Sequence, residues 1–447
     1  MRAGGHGTTR RESLASGFGL RYAGWAPGES RVPISCLEVL IRTSAEAPRG
    51  TLRQDVRIIG LVGGAHFVSH FFQLTLPPLF PLLRDDFEVT YVQLGLVMSL
   101  FYAASGIGQT VSGFLVDHWG ARRVLPGGMA LLGGAMALAG LAPSYWALVP
   151  AALRGGLGNS VFHPADYSIF NASVSPLRLG RAYGVHSICG NLGWAVAPAV
   201  VVGLSSTIGW RLALVTVGVL GIGAAVALST QSGALDDRRE PAGIRGVPSS
   251  GWTASVRLLM ATPILVAFAY FALLATSLIG IQTFSVSAMV AIYDAPLSLA
   301  TGGLTAFLLG SAGGILVGGY LADRTSRHDA VAGGGMFLGA VASLVIASAA
   351  PPLALLPLVM ALAGFCLGGT SPSRDMLVRA ATPPGASGKV YGFVYSGLDL
   401  GSSLTPLLFG WLLDRGEPRM IFIASAAFML LTIATVIQVR RQAAGRH

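Results

Sequence analysis

The chain has 447 residues, of which 53% are hydrophobic and only 11% charged, and carries a formal net charge of +10 at pH 7. So much apolar surface cannot be hidden in a soluble core of this length, which excludes an ordinary soluble enzyme and leaves lipid as the solvent. The positive charge does not point to nucleic acid, because the arginines gather in alternate loops and no basic stripe with interleaved aromatics occurs.

Spanning the hydrocarbon layer takes roughly 20 apolar residues per helix, and about twelve such segments can be laid along the chain. Without water, each segment must satisfy its own backbone, and continuous apolar runs favour helices over barrel strands. The expected fold class is therefore all-α integral membrane. The cysteines Cys36, Cys189 and Cys366 are scattered, so no disulfide framework is implied.

Residues 1–54 are rich in Arg, Gly and Ser, with an apolar patch near 39–41 too short for a secretory signal. They are expected to form a disordered cytoplasmic tail, or to reflect a misplaced start codon. Span 1, at 58–80, carries His66, His70 and Gln73, followed by Pro77 and Pro78 within the span and Pro81 just beyond it. Two histidines at i and i+4 share a helix face. Zinc needs more ligands than two and the neighbouring sequence supplies none, so no metal site is expected. Ionisable groups within a span are costly, and these should line an internal cavity; the alternative is an imidazole bonded to a nearby backbone carbonyl.

An acidic loop at 84–88 leads into span 2 (91–116), marked by the small residues Ser105, Gly106, Gly108 and Ser112 that allow helices to approach closely. Span 3 covers 124–141. Between them lies GFLVDHWGARR, residues 113–123, and GYLADRTSR at 319–327 repeats the arrangement between two later spans. The pattern at Gly113, Asp117, Gly120, Arg122 and Arg123 resembles the loop between helices 2 and 3 of the major facilitator superfamily. His118 stands where that family usually has Arg or Lys. The second copy keeps Gly319, Asp323, Arg324 and Arg327 but has Ser326 in place of the second glycine. The resemblance implies twelve helices in two pseudo-symmetric six-helix bundles, and a gating role for these nine residues.

Span 4 starts near 145 and contains Arg154, which matches in position the helix 4 arginine of many proton-driven antiporters of that superfamily. Its implied role is to bind an anion or tune a nearby acid; a structural arginine bonded to carbonyls is the alternative. The following GLGNSVFHPADYS, with the His66-Phe67 pair, resembles the fosmidomycin-resistance branch of the superfamily. Ser69 and His70 stand where that branch often has Asn-Asp, and Asp166 where it often has Glu.

Span 5 shows the repeat directly. GRAYGVHSICGNLGWAVAP at 180–198 aligns without gaps to GKVYGFVYSGLDLGSSLTP at 388–406. Gly180 pairs with Gly388, Arg181 with Lys389, Gly184 with Gly392, Gly193 with Gly401, and Pro198 with Pro406; Pro164 and Pro372 hold the same offset. A parallel repeat of a six-helix unit accounts for it. Gly184, Gly193, Ala197 and Pro198 resemble the superfamily's antiporter signature, although Ala197 replaces a glycine and Val201 and Val202 replace its closing pair. Small residues serving helix packing are the plainer reading of these positions, and of Gly392, Gly401 and Pro406.

Span 6 covers 211–228, and spans 7 to 12 fall near 262–283, 297–321, 331–348, 352–369, 390–412 and 421–439. The expected organisation is an N-terminal bundle at 55–229, a cytoplasmic linker at 230–258, a C-terminal bundle at 259–440 and a basic tail at 441–447. Under this count the arginine-rich loops all share one side, which the positive-inside rule makes cytoplasmic, with both termini inside a bacterial-type inner membrane.

No phosphate-cradling loop and no nucleophile elbow in strand context is present, so neither enzyme chemistry nor a cofactor is expected. Alternating access is. Asp117 should meet the start of span 11 near 388–391, and Asp323 the start of span 5 near 180–183, holding the cytoplasmic side shut. Candidates for the substrate or proton pathway are His66, His70, Gln73, Arg154, His163, Asp166, His186, Asn191, Arg374, Asp375 and Asp399. The leading expectation is a monomeric, proton-coupled exporter of a small, anionic antibacterial or metabolite. Uptake of an organic anion, or a transporter-like sensor, are the alternatives.

Overall fold

The computed structural model describes residues 51–175, 177–235, 257–381 and 387–444, without side chains at 110, 378–381, 387–389, 391–392 and 439–444. The described residues form helices only: α1 (Leu52–Gln73), α2 (Phe80–Phe87), α3 (Tyr91–Trp119), α4 (Ala121–Gly140), α5 (Tyr145–Asn159), α6 (Phe162–Ser173), α7 (Leu179–Thr230), α8 (Thr262–Tyr293), α9 (Leu297–Ala322), α10 (His328–Ala347), α11 (Leu356–Ala381), α12 (Ser387–Asp414) and α13 (Arg419–Ala444), with short 3-10 turns between some. Nine stretches among them are long and apolar enough to cross a membrane. One is the 52-residue α7, which bends at Gly209 (φ 78, ψ 156) and supplies spans 5 and 6. Adding α12, and span 4 assembled from α5 and α6, gives twelve crossings.

The twofold repeat is visible in backbone contacts. Gly156 of span 4 lies against the Phe101 carbonyl of α3, and Gly364 of span 10 against the Phe307 carbonyl of α9. Gly128 meets the Gly158 carbonyl as Gly335 meets that of Cys366, and Gly193 meets the Phe67 carbonyl as Gly401 meets that of Ala272. Each pair joins equivalent helices of the two halves. Pro198 and Pro406 are both buried inside their long helices. Replacing Gly364 with Val presses a branched carbon into a backbone that cannot yield, an overpacking cost of about 1–3 kcal/mol or more. The expected result is a lower melting temperature and reduced recovery of monodisperse protein in detergent, measured by thermal scanning and size exclusion.

The halves meet where α3 runs along α12 and α7 along α9. Described bonds and ring contacts between them gather at the Tyr91 end of α3. The Asp414 carboxylate accepts from the backbone N–H groups of Tyr91 (2.7 Å) and Val92 (2.8 Å). Phe284 of α8 sits 5.6 Å from the Phe80 ring and 6.3 Å from that of Tyr91, and Gly410 abuts the Tyr91 carbonyl.

Several boundaries differ from expectation. Span 1 starts at Leu52, capped by Thr51, whose hydroxyl accepts from Gln54 N–H at 3.3 Å. Asp55, expected at the edge of a loose tail, is fully buried and accepts from Arg178 Nε at 2.6 Å and from Ser175 N–H. Residues 84–88, expected as loop, continue as α2, because Pro81 lies in its first turn and Glu88 closes it in the left-handed conformation (φ 51). Most of the expected tail, the linker over 236–256 and residues 445–447 lie outside the described residues.

Candidate functional site

Span 4 is broken at Ser160 and Val161, and the break lets α6 restart and aim His163 and Asp166 back towards α1. His186 of α7 and His66 and His70 of α1 complete the group. Gly190 makes room for it: a side chain there would strike the His66 and His70 rings at 2.9 Å. Asp166 is fully buried, and His66 and His186 are each 3% exposed. Asp166 Oδ2 shares a hydrogen bond of 2.9 Å with His186 Nε2 and lies 3.4 Å from His66 Nδ1. The His66 and His186 rings stack with centroids 3.5 Å apart, with His70 at 4.3 Å and His163 at 5.4 Å from His66.

A second polar layer adjoins it. Asn159 accepts from Ser69 Oγ (2.7 Å) and Gln73 Nε2 (3.1 Å) and donates to Ser105 Oγ (2.8 Å), tying α1, α3 and α5 together. Trp194 donates to Gln73 Oε1 at 3.1 Å while its ring lies 4.2 Å from that of His70. Asn159 was not among the expected site residues, although an asparagine within an apolar span is a signal in itself.

The repeat places a different chemistry in the other half. By the offset that pairs Pro164 with Pro372, Asp166 corresponds to Arg374. By the matched contacts of Phe67 and Ala272, His66 corresponds to Phe271. Arg374 lies over the Phe271 ring at 4.9 Å and donates to Asp375 Oδ1 at 2.9 Å, which Tyr395 also approaches at 3.2 Å. The equivalent positions thus hold a carboxylate among imidazoles in one bundle and a guanidinium over aromatics in the other.

Other expected residues are not brought to these centres. Arg154 is exposed and without a hydrogen bond or ion pair among the described residues, and Asn191 bonds the Ser187 carbonyl of its own helix (2.9 Å). Asp399 is exposed and lies against Gly106 of α3, at the contact between bundles. Gly193 lies against the Phe67 carbonyl and Gly401 against that of Ala272, whereas Gly184 has nothing within 4 Å. The reason given for expecting no metal ligands also fails: His163, Asp166 and His186 all lie beside His66.

At the gating loop, Gly120 links α3 directly to α4 with φ 83, a conformation that favours glycine. The second copy uses a longer turn through Thr325 and Ser326 and needs no such residue. Asp117 and Asp323 are exposed, and Gly113 and Gly319 have open space beside them. Asp323 makes no hydrogen bond near 180–183; the contact expected of Asp117 falls on residues 388–391, of which only Val390 has a described side chain. Arg324 lies over the Tyr320 ring at 4.0 Å and Arg327 is 3.7 Å from Asp329. Arg122 is half-buried, while Arg123 lines an apolar cavity of about 790 Å³ on the flank of α3, α4 and α5 that reaches the break at Ser160 and Val161.

Two repeated six-helix bundles with polar centres in equivalent places, one buried and one half-buried, define a polytopic helical membrane protein. The chain belongs to the Major Facilitator Superfamily, whose family model matches residues 62–303 and 272–446. It is similar to the fosmidomycin resistance protein of Escherichia coli, 30% identical over 154 residues, which make up 34% of this chain and 38% of that protein. It is also similar to a probable sulfoacetate transporter of Cupriavidus necator, 28% identical over 166 residues, 37% of this chain and 39% of that one. The chain thus spans about two fifths of the length of these relatives. Among solved structures, a bacterial homologue of the human lysosomal transporter Spinster, inward-facing and unoccupied, superposes with a TM-score of 0.71 over 88% of this chain and 98% of that one, at 16% identity. That likeness concerns the fold.

Proposed function

We propose that the chain is a secondary active transporter that exports a small anionic solute in exchange for protons. The observation that carries this reading is Asp166 held between His186 and His66, at the position where the other repeat holds Arg374. A carboxylate sharing a hydrogen bond with an imidazole can exchange a proton without stranding a full charge in the bundle, and the guanidinium supplies the partner an anion needs. The relatives named for fosmidomycin resistance and sulfoacetate transport support a solute of this kind.

The end bearing Asp117, Arg123 and Arg324 is the cytoplasmic side in this reading, by its arginine content. The closed contacts around Asp414 then make this the inward-open state. Asp323 meets the helix start near 180–183 when the protein turns outward in this reading. Uptake of an organic anion is the second reading, favoured by the relative named as a sulfoacetate transporter.

In proteoliposomes, an imposed pH gradient should drive accumulation of the solute, and indifference to the gradient would remove the proton from the mechanism. Growth of an efflux-deficient host on a panel of phosphonates, sulfonates and other antibacterials should improve with the chain present. Improved use of the same compounds as nutrients would reverse the direction.

A further inference from the structure

We infer that the histidine cluster is a binding site for one divalent transition-metal ion of the zinc class. Four imidazoles and one carboxylate converge from α1, α6 and α7 in two overlapping sets that share His66: His66 with His70 and His163, and His66 with Asp166 and His186. Within each set the ligand atoms lie within 4.8 Å of one another. Nitrogen-rich donors with one carboxylate suit zinc, copper, nickel or cobalt and are poor for magnesium or calcium, which take oxygen.

Satisfaction of the polar atoms points the same way. His66 Nδ1, His70 Nδ1 and Asp166 Oδ1 are buried and have no hydrogen-bond partner. Buried polar atoms are rarely left so, and a metal ion held by either set would satisfy part of them. Small-residue packing supplies the space: Gly190 holds α7 against the two α1 rings. The outer partners of a metal site are also present in part. Trp194 and Gln73 hold the His70 side in place.

A bound ion would occupy the atoms that carry the proton in the proposed exchange, so metal and proton should exclude each other. The site itself rests on geometry alone and stands or falls without the transport reading. Purified full-length protein in detergent, stripped with chelator, should take up one Zn²⁺ per chain by isothermal titration and release protons into a weakly buffered solution. Co²⁺ should give the visible d–d bands of an imidazole-ligated ion and quench Trp194, a signal missing from Trp194→Phe. Mg²⁺ and Ca²⁺ should not compete.

His66→Ala should weaken the binding at least about 100-fold, and half-buried His163→Gln at least about 10-fold, since even outer partners of a metal site act on that scale. Monodispersity by size exclusion identifies variants that have folded. Failure of the wild-type protein to bind Zn²⁺ and Co²⁺ stoichiometrically overturns the inference, as does binding that is unchanged in monodisperse His66→Ala. A site that binds metal in a protein indifferent to a pH gradient leaves this inference intact and removes only the proton coupling.

Discussion

Asp166→Asn is expected to lower gradient-driven transport by about 100-fold or more, the scale on which loss of a positioned proton-transferring group acts. The substitution keeps the shape of the side chain and one oxygen, so His186 Nε2 can still find a partner, and the fold should survive. What is lost is the ability to hold and surrender a proton between His66 and His186. A purely structural role predicts a different pattern: all modes of transport should fall together, with poorer recovery of protein. Loss of the proton alone should abolish uphill movement while leaving solute exchange across equal pH. The two modes are separated by measuring accumulation and counterflow in the same proteoliposomes. Full uphill activity in Asp166→Asn would move the coupling elsewhere, and Asp399, against the opposite bundle at Gly106, would be the next residue to test.

Asp414→Ala should open the opposite end of the molecule. The carboxylate bridges the first two N–H groups of α3, where a helix leaves donors unpaired and where negative charge is favoured. Hydrogen bonds to a charged group contribute about 1.5–3 kcal/mol each when buried. Asp414 is exposed, so solvent screening reduces the pair to about 1–2 kcal/mol in total. That corresponds to a shift of roughly 5- to 30-fold in the balance between the two states. Spin labels at positions 88 and 417, both near this end, should report a longer separation and a broader distribution in the variant. An unchanged distribution would mean that the aromatic contacts of Phe284 hold this end without help.

The fold was legible because its causes are local and periodic. Apolar runs of bilayer length, arginines concentrated in alternate loops, and the gapless match of 180–198 to 388–406 each derive from the solvent or the duplication. The histidine centre was legible only in pieces. His66, His70, His163, Asp166 and His186 could be singled out as costly polar groups in apolar spans, yet nothing in their spacing brings 66 to 166 or 186. The break between α5 and α6 and the small Gly190 do that, and both act in three dimensions.

Two contacts depend on partners far away in the chain. The first helix begins at Leu52, inside the expected tail, and Asp55 just beyond that boundary is held by Arg178, more than a hundred positions away. Acid-to-helix-start latching is expected at Asp117 and Asp323; among the described residues such a latch pairs Asp414 with α3 at the other end, and the partners expected of Asp117 fall largely outside the described side chains. A latch that must break and re-form leaves its motif in the sequence at both ends, whereas a single structure displays one of them.

The matched glycine approaches have a consequence for how such a chain can change. Phe101 and Phe307, or Phe67 and Ala272, meet their glycines through main-chain atoms, so the scaffold is indifferent to which side chains those helices present inward. One half could therefore acquire an acid among imidazoles while its twin acquired an arginine over phenylalanine, with neither innovation disturbing the frame that holds both. Change in such a frame can proceed by altering one cavity wall at a time.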